Sequence, residues 1–120
     1  MTGEELVIRA EAAAVNAYAP YSHYLVGASV LTKDGRFFDG VNVENAAYPL
    51  GVCAERTAFS HAMVEGYRPG DFTVAAITAS PCGGCRQWLF EMGVERVVFR
   101  NAGEVKTMSP AELLPESFEL

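Results

Sequence analysis

All three cysteines of this 120-residue chain lie in two short motifs, Cys53-Ala54-Glu55 and Pro81-Cys82-Gly83-Gly84-Cys85. If they serve one metal, the fold must bring two distant segments together. Three thiolates beside one carboxylate are what a metal needs to make water a nucleophile. Structural zinc sites close the tetrahedron with four protein ligands, whereas catalytic sites keep a corner for water or substrate. Three cysteines without an obvious fourth ligand therefore predict catalysis.

The rest of the chain predicts an α/β fold around that site. Thr2-x-x-Glu5 reads as a capping box, followed by an apolar stripe of Leu6, Ala10, Ala13, Ala14 and Ala17 that Pro20 ends. Tyr24 to Thr32 reads as a buried strand, Asp34-Gly35 as a hairpin turn, and Arg36 to Val43 as the returning strand. A polar segment, Asn42 to Gly51, leads into a helix from Cys53 to Glu65 that Gly66 stops. Phe72 to Thr78 is a third strand, and a short helix from Pro81 to Met92 is capped by Gly93.

Val94 to Arg100 and Glu104 to Met108 are the last strands. The turn Asn101-Ala102-Gly103 is too short for a crossover helix, so this pair is antiparallel. Ser109-Pro110-Ala111-Glu112 opens a short C-terminal helix. This order predicts one domain over 1–120 with a five-stranded mixed sheet covered by helices.

Both cysteine motifs sit where helices begin, and free N–H groups there favour thiolate over thiol. Residues i and i+2 of a helix point about 200° apart. Cys53 and Glu55 can address one water only if Cys53 lies at the very edge of its helix. Glu55 is then the proton shuttle, a role typically worth about 10²- to 10⁴-fold in rate. Three thiolates leave a zinc site with net negative charge, which calls for nearby donors to the sulfurs. Arg56 and Arg86 are the candidates, Arg56 the better one. His61, about 12 Å along the helix from Cys53, is too far to join the ligands. His23 reads as an exposed or hydrogen-bonding residue.

The net charge of -6 disfavours a nucleic-acid groove or an anionic membrane surface, but not a small neutral substrate. The opening MTGEELVIRA lacks a signal pattern, and an odd, clustered cysteine set fits a reducing compartment. A cytoplasmic protein is the expectation.

With these residues in place, the chain resembles the small, homotetrameric, zinc-dependent cytidine deaminases. The resemblance runs from about Ala19 to Phe118 through six segments in the same order: Ala19-Pro20-Tyr21-Ser22, Val26-Gly27-Ala28, Asn42 to Ala46, Cys53 to Ala58, Pro81 to Gln87, and Leu113-Leu114-Pro115. It implies a three-layer α/β/α fold, with one zinc per subunit on Cys53, Cys82 and Cys85 and Glu55 as the proton shuttle. Cytidine or 2'-deoxycytidine would become uridine or 2'-deoxyuridine plus ammonia, in pyrimidine salvage.

By the same resemblance, Asn42 and Glu44 bind a ribose hydroxyl, the backbone of Ala54 meets the base, and Arg56 contacts the sulfurs. Ala46, Tyr48 and Phe118 match positions that reach across between subunits. Tyr24 stands where a phenylalanine usually stacks near the base, and Leu25 where proline is common. The connection before Pro81 is shorter than usual.

Three rivals compete with this reading. An editing deaminase on DNA or RNA is disfavoured by the acidic charge and by the three-residue turn between the last strands. A deaminase of another cytosine compound, such as blasticidin S, shares the zinc pattern, but the Asn42 and Glu44 pair resembles the nucleoside-binding version. A structural zinc module leaves Glu55 idle.

Overall fold

A computed structural model describes residues 1–120. Thr2 caps the first helix, α1 (Gly3–Ala14): its hydroxyl accepts the Glu5 N–H at 3.1 Å while the Glu5 carboxylate accepts the Thr2 N–H at 3.0 Å. Two strands follow, β1 (Gly27–Thr32) and β2 (Phe37–Val41), and then α2 (Ala54–Val64). Next come β3 (Phe72–Ile77), α3 (Gly83–Met92), β4 (Arg96–Asn101), β5 (Glu104–Met108) and the short α4 (Pro110–Leu113).

The five strands lie in the order β2-β1-β3-β4-β5. Only β3 and β4 pair in parallel; the other neighbours are antiparallel. Because β1 runs against both β2 and β3, strands β2, β3 and β4 all point the same way. α2 follows β2 and α3 follows β3, so both helices start at the same end of the sheet. That direction of travel brings the two cysteine motifs together.

Helices cover both faces, as the three-layer expectation requires. On one face Leu6, Val7 and Ala10 of α1 pack on Val74, Ala76 and Val98. On the other, Ala54, Ala58, Phe59 and Ala62 of α2 and Leu89 and Met92 of α3 pack on Ala28, Val30, Ala75, Ile77 and Val97. The Gly66 and Gly93 stops are both present, with φ +98° and +66°.

The structure corrects several boundaries. α1 ends at Ala14, so Pro20 does not terminate it, and Ala17 lies in the loop beyond. β1 starts at Gly27 rather than Tyr24, because the side chain of Asn42 takes the place of a partner strand. Its Oδ1 accepts the Val26 N–H at 2.8 Å and its Nδ2 donates to the Tyr24 carbonyl at 2.9 Å. β2 stops at Val41, after which Val43 leaves the sheet to bridge Tyr18 and Val52. β4 begins at Arg96, not Val94. No helix is long and apolar enough to cross a membrane.

Candidate active site

Cys53 is the N-cap of α2, with the extended backbone (φ -76°, ψ 156°) of a residue at the helix edge. This is the placement that lets Cys53 and Glu55 face one water. Cys82 is the N-cap of α3, where its sulfur accepts the Cys85 N–H at 3.4 Å. The two free helix ends thus present sulfur rather than the usual Ser, Asp or Asn oxygen.

The three sulfurs lie within 4.8 Å of one another, and all three cysteines are free of disulfides. Zinc–sulfur bonds of about 2.3 Å to tetrahedral corners put the sulfurs about 3.8 Å apart. The Cys53 and Cys82 sulfurs are 3.7 Å apart. The residues present therefore fit zinc in number, softness and spacing.

α2 is held to the sheet by two contacts that sequence patterning missed. The Thr57 hydroxyl accepts the Val41 N–H at 2.9 Å, and its single proton has the Val41 and Ala54 carbonyls in reach as acceptors at 2.8 and 2.9 Å. Beneath it, a Cβ on Gly40 would sit 2.3 Å from the Ala58 nitrogen and 2.4 Å from the Ala54 oxygen. A glycine inside a strand signals such a close backbone approach. That signal was available at Gly40.

The electrostatics around the sulfurs are polarised. A hydrogen bond from the Cys85 thiol is the main cause drawing Cys53 down to about 6, and Cys85, as the donor, is pushed up. Glu55 is only 3% exposed. Burial raises its carboxyl above the usual carboxylate range, and the nearby Cys53 sulfur adds to the rise. A proton is therefore easier to place on Glu55 than on a surface glutamate.

Arg56 lies within the electrostatic reach of the three sulfurs. Burial works against its charge, but the sulfurs of Cys85, Cys53 and Cys82 outweigh this and raise its pKa. Its Nε is buried without a hydrogen-bond partner in the protein. Gly84 leaves room for the guanidinium: a Cβ there would lie 2.3 Å from Arg56 Nη2.

Arg86 does something else. Its guanidinium donates to the Pro81 and Leu113 carbonyls, each at 3.0 Å, and so clips the loop before Cys82 to α4. His61 packs edge-on against Phe38 at 5.1 Å, and neither histidine belongs to the sulfur cluster.

A cleft of about 560 Å³ is lined by Tyr21, Ser22, Asn42, Glu44, Ala46, Tyr48 and Cys53, among others. The structure thus places four of the expected substrate contacts, Asn42, Glu44, Ala46 and Tyr48, in one cleft with Cys53. Tyr24, Ala54, Glu55 and Phe118 are not among the lining residues of this cleft. Ala54 is fully buried, whereas Tyr24, Tyr48 and Phe118 are 62%, 92% and 65% exposed. The tail is anchored by Gln87, whose Nε2 donates to the Phe118 carbonyl at 2.9 Å.

Residues 1–101 match the family model described as the cytidine and deoxycytidylate deaminase zinc-binding region. The chain is 40% identical to a cytidine deaminase from Sporosarcina psychrophila, over 98% of this chain and 92% of that protein. Among solved structures, the cytidine deaminase of Burkholderia pseudomallei superposes with a TM-score of 0.91 at 46% identity, covering 98% of this chain and 100% of its own. That of Mycobacterium tuberculosis gives 0.85 at 34% identity, covering 100% and 99%.

Proposed function

The chain belongs to the cytidine and deoxycytidylate deaminase family, and from that premise we propose that it hydrolyses cytidine and 2'-deoxycytidine to uridine and 2'-deoxyuridine plus ammonia. Its cofactor is zinc, with Cys53, Cys82 and Cys85 as the residues that hold it. Bound there, the ion supplies a Lewis acid that makes water a competent nucleophile near neutral pH.

The chain's own groups do the rest. Glu55 takes the proton that water loses as it adds to C4 of the base. The same carboxyl delivers that proton to N3 and later carries one to the departing amino group. Its burial suits both steps, because a carboxyl with a raised pKa holds and releases a proton more evenly than an exposed one. Arg56 offsets the charge of the sulfurs. The Ala54 backbone meets the base edge, Tyr24 stacks near it, and Asn42 and Glu44 receive the sugar.

The whole chain, 1–120, acts as one catalytic domain. Tyr48, Leu50 and Phe118 are large, exposed side chains on a small acidic protein. Covering them between copies would remove that apolar surface from water, which favours a homotetramer in which Ala46, Tyr48 and Phe118 help close neighbouring sites. The three free thiols fit the cytoplasm, and free nucleosides as substrates fit pyrimidine salvage.

The observation that carries this reading is a buried, protonatable Glu55 beside three convergent sulfurs. Its test is Glu55→Gln, with zinc content and the ultraviolet loss of cytidine measured on one preparation. Zinc should stay at the wild-type level while kcat falls about 10²- to 10⁴-fold. Wild-type turnover in the variant would refute the shuttle.

A further inference from the structure

The segment Ala19 to Val26 contributes more to the cleft than a wall. Both oxygens of Glu44 are engaged by its turn: Oε1 accepts the N–H groups of Tyr21 and Ser22 at 3.0 and 3.1 Å, and Oε2 accepts the Ser22 hydroxyl at 2.5 Å. Two successive backbone N–H groups converging on a carboxylate form an anion nest. His23, with φ 60°, then turns the chain back, and the Tyr24 N–H donates to the Ser22 oxygen at 3.0 Å.

These bonds settle the direction of each donor. A hydroxyl has one proton, and an ionised carboxylate can only accept. The Ser22 proton therefore goes to Glu44, and the Ser22 oxygen is left to accept from Tyr24. Glu44 keeps one acceptor site free but has no proton to offer. Asn42 is constrained in the complementary way, since one N–H of its amide goes to the Tyr24 carbonyl and its oxygen accepts the Val26 N–H. What remains for a ligand is one N–H from Asn42 and one acceptor site on Glu44, two residues that line the same cleft. That pair is complementary to a single alcohol, which takes the N–H on its oxygen and gives its proton to the carboxylate.

We propose that Ser22 is a positioning residue for the sugar end of the substrate: its hydroxyl holds the ionised Glu44 carboxylate in place with one acceptor site left free, and so favours nucleosides that bring a hydroxyl to this place. The inference rests on Glu44 as a sugar ligand, but the role of Ser22 is separate from it. A serine that merely braced the turn would affect all substrates alike. A positioning serine affects only those with the hydroxyl.

The test is steady-state kinetics of the zinc-loaded wild type and of Ser22→Ala, Ser22→Thr, Ser22→Cys and Glu44→Gln, each with cytidine and with 2',3'-dideoxycytidine. Ser22→Ala should raise KM for cytidine by about tenfold, the scale of one hydrogen bond to a charged group, with kcat little changed. Its KM for the dideoxynucleoside should stay at the wild-type value. Ser22→Thr should restore the cytidine value. Ser22→Cys, which keeps the shape but donates weakly, should repeat the loss.

Equal losses on both nucleosides, or no loss on cytidine, would overturn the role of Ser22. If Glu44→Gln is selectively poor on cytidine while the Ser22 variants are not, only this inference falls. If Glu44→Gln itself treats the two nucleosides alike, the sugar-ligand reading of Glu44 falls with it.

Discussion

Gly40→Ala tests whether the spacing between α2 and β2 sets the chemistry. The added Cβ would lie 2.3 Å from the Ala58 nitrogen, 2.4 Å from the Ala54 oxygen and 2.5 Å from the Thr57 hydroxyl, against ordinary contacts of 3.4–4 Å. Two of these atoms are helix backbone, which cannot rotate aside as a side chain can. The first two turns of α2 must therefore retreat by about 1 Å, the shortfall between those contacts and ordinary van der Waals separation. Cys53 and Glu55 ride on that part of the helix.

Overpacking of this kind costs about 1–3 kcal/mol, and a misplacement of about 1 Å in a reacting group can cost about 10²-fold in rate. The variant should melt several degrees below the wild type by circular dichroism. At temperatures where it remains folded, it should turn over cytidine about 10²-fold more slowly. A folded variant with full zinc content and wild-type kcat/KM would show that the close approach at Gly40 does not govern the site.

Arg56→Leu removes the cation that offsets the sulfurs while keeping an apolar stem, so zinc should be retained about 10- to 100-fold more weakly in chelator competition. Unchanged retention would leave Arg56 as a packing residue. Asp34 is held below its usual range by the Thr32 hydroxyl first and the Tyr67 hydroxyl second. A lowered folded pKa stabilises the protein above the unfolded value of 3.8, and that contribution disappears as pH falls through the folded one. Asp34→Asn should therefore lower the urea midpoint at pH 7, with wild type and variant converging in strong acid.

Local chemistry was the legible part of this chain. Both capping boxes form, at Thr2 with Glu5 and at Ser109 with Glu112, because each needs only residues three apart. Cys53 falls at the helix edge for a similarly local reason. The features that escaped sequence reading depend on distant partners. The start of β1 is displaced because an amide side chain from beyond β2 satisfies its backbone. Arg86 turns from the sulfurs to two carbonyls, one of them on α4, which only the tertiary fold brings near. Thr57 and Gly40 gain meaning only once α2 lies across β2.

Why the site sits where it does follows from strand direction and charge together. β1 inserts between β2 and β3 but runs against both, so the strands feeding the two ligand helices stay parallel without being neighbours. The helices then open side by side, and their unpaired N–H groups favour anions at that spot. Three thiolates collected there would repel one another, yet a divalent ion and the Arg56 guanidinium together cancel their charge. The carboxyl of Glu55 then competes with the sulfurs for the same Arg56 charge. Its burial raises the cost of keeping its own negative charge, so the fold that collects the sulfurs also leaves Glu55 as the place where a proton can come and go.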